Sequence, residues 1–446
     1  MVDCMRPSVS DALDDGVGCG PFRADGCNAM AHDNRNFLPT PPLFTEFPFK
    51  YAVPVFSPGD LRCTAEQRDS FRKFAQVGDP LADDVVAMIK RLPVGEGRRM
   101  FEIAVERGVD AVPDAPAELR AFFDQVESEP YWLDRAKIER GARVVGRTGV
   151  WGGIAMGMFA LMGGYLASRA DKTLVGTGDL DAMAPRRLAE TTQWWLDVTT
   201  PGQLDRQAVG YKSVLRVRLM HALVRSGMNH RPDWDYDAWD QPINQVLTVG
   251  TLTLFSMANL VGAQALGLRF SATEKESVFH LWRYVGFLLG IDQEILPTNE
   301  TDTWRAFWIL ADTEFIPDND SRLLAQALLP AAGGLFVGTD TIAQRTFRRM
   351  VTQYMAAYSR IVLGPSNSDF LGLPDRTLFK SAVLATAVVN GALEIPRQLI
   401  PGATRFQENL GARIRTRLVR GSIARNGGDR TYARHDTYAR PALRAG

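Results

Sequence analysis

The chain has 446 residues, with 51 Lys+Arg against 51 Asp+Glu and a formal net charge of zero. Apolar residues make up 46% and charged residues 23%, an ordinary globular balance that excludes a wholly disordered chain, a collagen-like repeat and a coiled-coil rod. Charge neutrality also argues against a general nucleic-acid binder.

Residues 1–42 hold six Asp, five Pro and four Gly and few large apolar side chains. A loosely attached tail is expected over 1–44. It shows neither the basic start nor the apolar run of a signal peptide, so cytoplasmic residence is the expectation. Cys4, Cys19 and Cys27 fall in this tail and Cys63 is the last thiol. The body beyond it therefore has no disulfide framework and no thiolate metal site.

From 45 to 412 apolar residues recur at three and four, strand-like alternation is scarce, and prolines and glycines punctuate the pattern. One all-α domain of roughly twelve to fifteen helices is expected. Residues 150–168 run 19 positions without a charge, long enough to cross a bilayer. Their five glycines and three methionines instead suit a buried helix or a pocket wall. The same reading is given to 379–395. Pro185 suits the first turn of a helix carrying Arg187, Glu190, Thr191, Trp194 and Val198 on one face. A second helix, over 212–226, gathers Val214, Val217, Arg218, His221, Val224 and Arg225, with Gly227 as its stop. Residues 413–446 contain nine arginines and read as a basic C-terminal tail, with contact to an anionic membrane as the minority alternative.

Common catalytic signatures are absent: there is no GxGxxG before a helix, no GxxxxGK[ST], no HExxH and no GxSxG. Of five histidines, His32 and His435 lie in the tails, and His230 and His280 read as structural. His221 stands among valines with an arginine one turn before it and another one turn after. That pattern suits a haem, with the imidazole on iron, the valines on the porphyrin and the arginines on the propionates. A core histidine flanked by two snorkelling arginines fits the periodicity as well. On the other helix, an ion pair on a solvated face is the plain alternative for Arg187 and Glu190.

Taken together, RLAET at 187–191, RLMHALVR at 218–225, QPINQ at 241–245 and TLTLFS at 251–256, with PYWLD at 130–134 and YVGFLLGID from 284, resemble the haem-containing oxygenases that include the latex-clearing rubber oxygenases and the mycophenolate-pathway oxygenase. The resemblance spans roughly 125–400. It implies an all-α fold with a globin-like core around haem b, His221 as proximal iron ligand, and Arg218, Arg225, Val217 and Val224 around the cofactor. It also implies Arg187, Glu190 and Thr191 on the dioxygen side, and Asp171 as a second candidate base after Glu190. In the rubber-cleaving branch a lysine stands where this chain has Glu190. That departure implies an open or water-bound distal position and speaks against rubber itself as substrate. The partners implied are dioxygen and a small apolar, unsaturated isoprenoid or acyl molecule. A non-catalytic haem carrier and a cofactor-free, membrane-peripheral helical scaffold are the competing readings.

Overall fold

A computed structural model describes residues 36–176, 180–339 and 341–426, and the side chains of 180–183 are not described. The chain divides between Asn36 and Phe37, and the fold below is that of the second unit. The helices of eight residues or more are α1 (Phe49–Phe56), α2 (Ala65–Arg72), α3 (Pro80–Arg91), α4 (Glu96–Arg107), α5 (Ala117–Glu127) and α6 (Arg135–Arg147). The central ones are α7 (Gly149–Gly164), α8 (Ser168–Gly176), α9 (Leu180–Val198), α10 (Val209–Met228), α11 (Gln245–Ala265) and α12 (Ala272–Leu288). The chain then runs through α13 (Glu300–Thr313), α14 (Asn319–Phe336), α15 (Ile342–Phe370), α16 (Thr377–Leu399) and α17 (Ala403–Asn426). No strand occurs among the described residues, only an isolated bridge between Phe37 and Thr64.

Local chemistry sets several helix starts. Asp79 accepts the Ala82 N–H at 3.2 Å with Pro80 in the first turn of α3. Asp134 caps α6 through Lys137 N, and Ser271 and Glu274 form a reciprocal capping box on α12. Gly141 lets α6 and α12 touch: a Cβ there would lie 2.4 Å from the Ser277 carbonyl oxygen. Between α6 and α7 the chain bends by 90° at Gly149, which has φ +56° and meets Gly411 of α17 at close range.

That bend carries the Gly/Met-rich segment inward, as its composition suggested. Within α7 the turn Met156–Leu161 is π-helical, as is Leu254–Ala258 within α11, and the two π turns pack against each other. Such turns widen a helix locally and re-aim its side chains.

Several expectations are corrected. Pro185 sits inside α9 rather than in its first turn, and Pro330 and Pro396 are likewise internal to α14 and α16. Gly227 lies inside α10, which stops at Asn229. The ordered body begins before residue 45, since Leu43 and Phe44 are buried. It also runs past 412, because α17 continues to Asn426 and buries Arg415, Val419 and Ser422. The rest of the expected tails, with Cys4, Cys19, Cys27, His32 and His435, lies outside the described residues.

The segment 379–395 is not a buried helix. α16 turns two of its three charged residues inward: Glu394 joins Arg397 and receives Arg147 at 3.0 Å. It turns Leu384, Val388, Leu393 and Leu399 outward, Val388 at 73% exposure and Leu399 at 75%. Burial of the ion network decides the orientation, because a charge shut away from water needs its partners.

Candidate functional site

Helices α7, α8, α9, α10, α11, α14 and α17 enclose a cavity of about 460 Å³. Its walls are mostly apolar. Trp194 meets Phe255 edge-on at 5.2 Å, and Phe255 stacks on Trp282 at 5.1 Å. Gly153 and Gly157 also line it, and a Cβ added to either would meet no atom within 4 Å. Their bare backbone leaves a broad open floor.

His221 projects from α10 into this cavity, flanked by Val217 and Val224. The residue is half-buried and lines the cavity. Burial pushes its pKa down to about 4, with the Arg225 charge adding to the effect and Asp79 opposing it. It is therefore neutral at neutral pH. No hydrogen bond or ion pair of the imidazole occurs among the described residues. A neutral ring nitrogen with an unused lone pair is what a transition metal requires.

The flanking arginines do not join it. Arg218 reaches back to α3, where Nε and Nη2 hold the Asp79 carboxylate at 2.6 and 2.9 Å and the guanidinium lies over Phe122. Arg225 holds Asp83 from Nε and Nη2 and donates to the Ile243 carbonyl. Neither lines the cavity. Their expected place on a cofactor's carboxylates is therefore corrected: both fasten α10 to the framework, since each buried guanidinium already has a carboxylate.

Helix α9 brings Arg187, Glu190, Thr191 and Trp194 to the cavity wall, the face that helical spacing defines. Glu190 is buried and ion-paired with Arg186 at 2.9 Å. The neighbouring Arg187 donates to the Leu174 carbonyl at 3.3 Å. Thr191 is exposed while lining the cavity. Asp171 of α8 also faces the cavity at 1% exposure, accepting a hydrogen bond from Ser321 Oγ at 3.1 Å. Burial raises its pKa well above the usual carboxylate range, and Asp318 and Asp320 push the same way. It holds its proton far more readily than an exposed aspartate does.

Two residues at the cavity escaped the sequence reading. Tyr165 stands near Asp171 and Arg187, its phenol held protonated chiefly by burial. Arg415 belongs to the arginine-rich run from 413 onwards yet lines the cavity. His280 accepts the Asp134 N–H at 2.9 Å and His230 contacts the Ser226 carbonyl; both lie away from the cavity, as expected of structural histidines. No group of three or more His, Cys, Asp or Glu side chains gathers into a metal site among the described residues.

A family model described as the ER-bound oxygenase mpaB/B'/rubber oxygenase catalytic domain matches residues 146–390. The rubber oxygenase of Streptomyces sp. (strain K30) is 25% identical over 291 residues, which are 63% of this chain and 67% of that one. Among solved structures, latex clearing protein in its closed state superposes with a TM-score of 0.56 at 21% identity, covering 77% of this chain and 91% of the other.

Proposed function

The chain belongs to the family of mpaB/B' and rubber oxygenase catalytic domains, an oxygenase family, and from that premise we propose that it is a haem b-dependent oxygenase of an apolar, unsaturated isoprenoid or acyl substrate. The observation that carries this reading is His221: a neutral imidazole without a hydrogen-bond partner, opening on a largely apolar cavity. The donor set fits. One imidazole would ligate the iron, Val217, Val224 and the tryptophan cluster would pack on the macrocycle, and the bare faces of Gly153 and Gly157 leave room for a flat group. Bound there, haem would supply the coordination site and electrons that dioxygen activation needs.

The chain's own residues would do the rest. The apolar walls bind the hydrocarbon and exclude water. Arg187 and the Thr191 hydroxyl bring donors to the wall where negative charge develops on oxygen. Glu190, kept beside the Arg186 cation, is the carboxylate suited to take an allylic proton. Asp171, whose pKa burial raises well above the usual carboxylate range, is better suited to give one.

We place the protein in the cytoplasm, in peripheral contact with an anionic membrane. Support comes from the outward apolar face of α16 and from the exposed Arg405, Arg413, Arg417 and Arg420 of α17, a helix that packs on α16. A second copy of the chain would set these cations against their own kind, whereas anionic headgroups complement them.

Titration of cofactor-free protein with hemin tests the haem reading. A Soret band that saturates near one equivalent, lost in His221→Ala, is expected, with oxygen uptake on adding an unsaturated isoprenoid. Equal hemin binding by wild type and His221→Ala would overturn it.

A further inference from the structure

Six arginines of the described fold are buried: Arg147, Arg218, Arg225, Arg360, Arg397 and Arg415. Five of them meet a carboxylate: Glu394, Asp79, Asp83, Asp369 and Glu394 respectively. Arg415 meets none among the described residues. It is 3% exposed, on the face of α17 that closes the cavity. Its Nη1 donates to Thr199 Oγ1 at 2.7 Å and its Nη2 to the Thr199 carbonyl at 2.9 Å. The guanidinium lies 4.8 Å from the Trp195 ring centroid. The Nε–H is buried and has no partner.

A guanidinium stays charged at neutral pH even though burial alone brings this one down to about 9. An unpaired buried cation is costly, and folds keep one where a ligand completes the pair. Thr199 takes up both Nη groups and leaves the Nε–H unpaired, on the edge of the fork that matches the two oxygens of a carboxylate. Leu418 and Val419, which follow it on α17, make the surrounding wall apolar.

We propose that Arg415 is the carboxylate anchor of the cavity, fixing the acid end of an otherwise apolar ligand. Two molecules present that chemistry: haem through a propionate, and a long-chain acyl substrate through its terminal carboxylate. The inference rests on the cavity being the ligand site of the proposed function, but not on haem being bound there.

The test uses the full chain prepared without cofactor. Tryptophan fluorescence is titrated with palmitoleic acid against its methyl ester, and with hemin against hemin dimethyl ester, for wild type, Arg415→Met and Arg415→Lys. Wild type is expected to prefer the acid over the ester at least tenfold in one pair. Arg415→Met should lose that preference while keeping ester affinity, and Arg415→Lys should keep part of it. The thermal midpoint of ligand-free Arg415→Met should equal or exceed that of wild type, because an unmatched charge has been removed. Acid preference with the fatty pair identifies an acyl substrate; preference with the hemin pair identifies a propionate; either supports the anchor. Acids and esters bound alike by wild type would overturn it, as would an acid preference that survives in Arg415→Met. Fatty-acid preference without any hemin binding would leave the anchor standing and remove the haem.

Discussion

Replacing Arg218 by Met separates a framework arginine from a cofactor-binding one. The methionine keeps much of the apolar stem over Phe122. It removes both hydrogen bonds to Asp79, at 2.6 and 2.9 Å, and those to Gln125 at 2.5 Å and the Leu288 carbonyl at 3.3 Å. Asp79 stays buried with only its cap contact to Ala82 N and the backbone contacts of that turn. Removing one partner of such a pair costs about 3–5 kcal/mol, a large share of the roughly 5–15 kcal/mol that keeps a domain folded. Urea unfolding of the cofactor-free protein, followed by tryptophan fluorescence at neutral pH, should register that loss. Asp79→Asn combined with Arg218→Met should recover part of it, with a coupling of about 1–3 kcal/mol. A cofactor-binding arginine would behave in the opposite way: stability without cofactor would hold and only hemin affinity would fall. A loss below about 1 kcal/mol together with a tenfold drop in hemin affinity would refute the framework role.

The imidazole of His221 binds its proton near 6.5 when unfolded and at about 4 when folded. Stability intact above pH 6.5 is therefore lost as pH falls towards 4, by about 3 kcal/mol over the window; His221→Phe should show a correspondingly smaller drop in urea melts at pH 7.5 and 4.5, and parallel curves would contradict the buried neutral ring. Gly157→Leu should fold normally, since nothing stands within 4 Å of its Cβ, yet bind hemin or palmitoleate at least tenfold more weakly; a titration unchanged from wild type would show that the floor is not used. Leu384→Glu with Val388→Glu should abolish flotation with phosphatidylglycerol vesicles at low salt, and flotation equal to wild type would remove α16 from any membrane contact.

Helical spacing made the inner face of α9 legible, because Arg187, Glu190, Thr191 and Trp194 follow one stripe and the helix simply presents it. It also put His221 with Val217 and Val224. What it could not show was where a long side chain goes next. Arg218 and Arg225 share the histidine's face in projection, but their guanidiniums swing to Asp79 and Asp83, 139 and 142 residues away in sequence. Arg415 was hidden by company: in a run of arginines, the one that turns inward looks like the rest. The inversion of α16 was hidden for the converse reason, since only the remote Arg147 shows that Glu394 faces the core. The burial of Asp171 likewise depends on Ser321, 150 residues downstream.

The facing π turns at Met156–Leu161 and Leu254–Ala258 carry one more consequence. Each accommodates roughly one residue beyond the count of a regular α-turn, and each residue of an α-helix advances the spiral by about 100°. Deleting a single residue from either would restore ordinary backbone pairing and rotate everything downstream by that angle, sending Met158 or Phe255 to another quadrant. The shape of the chamber is thus stored as a phase offset between two neighbouring spirals, and one codon lost from either gene segment would erase it without touching a polar side chain.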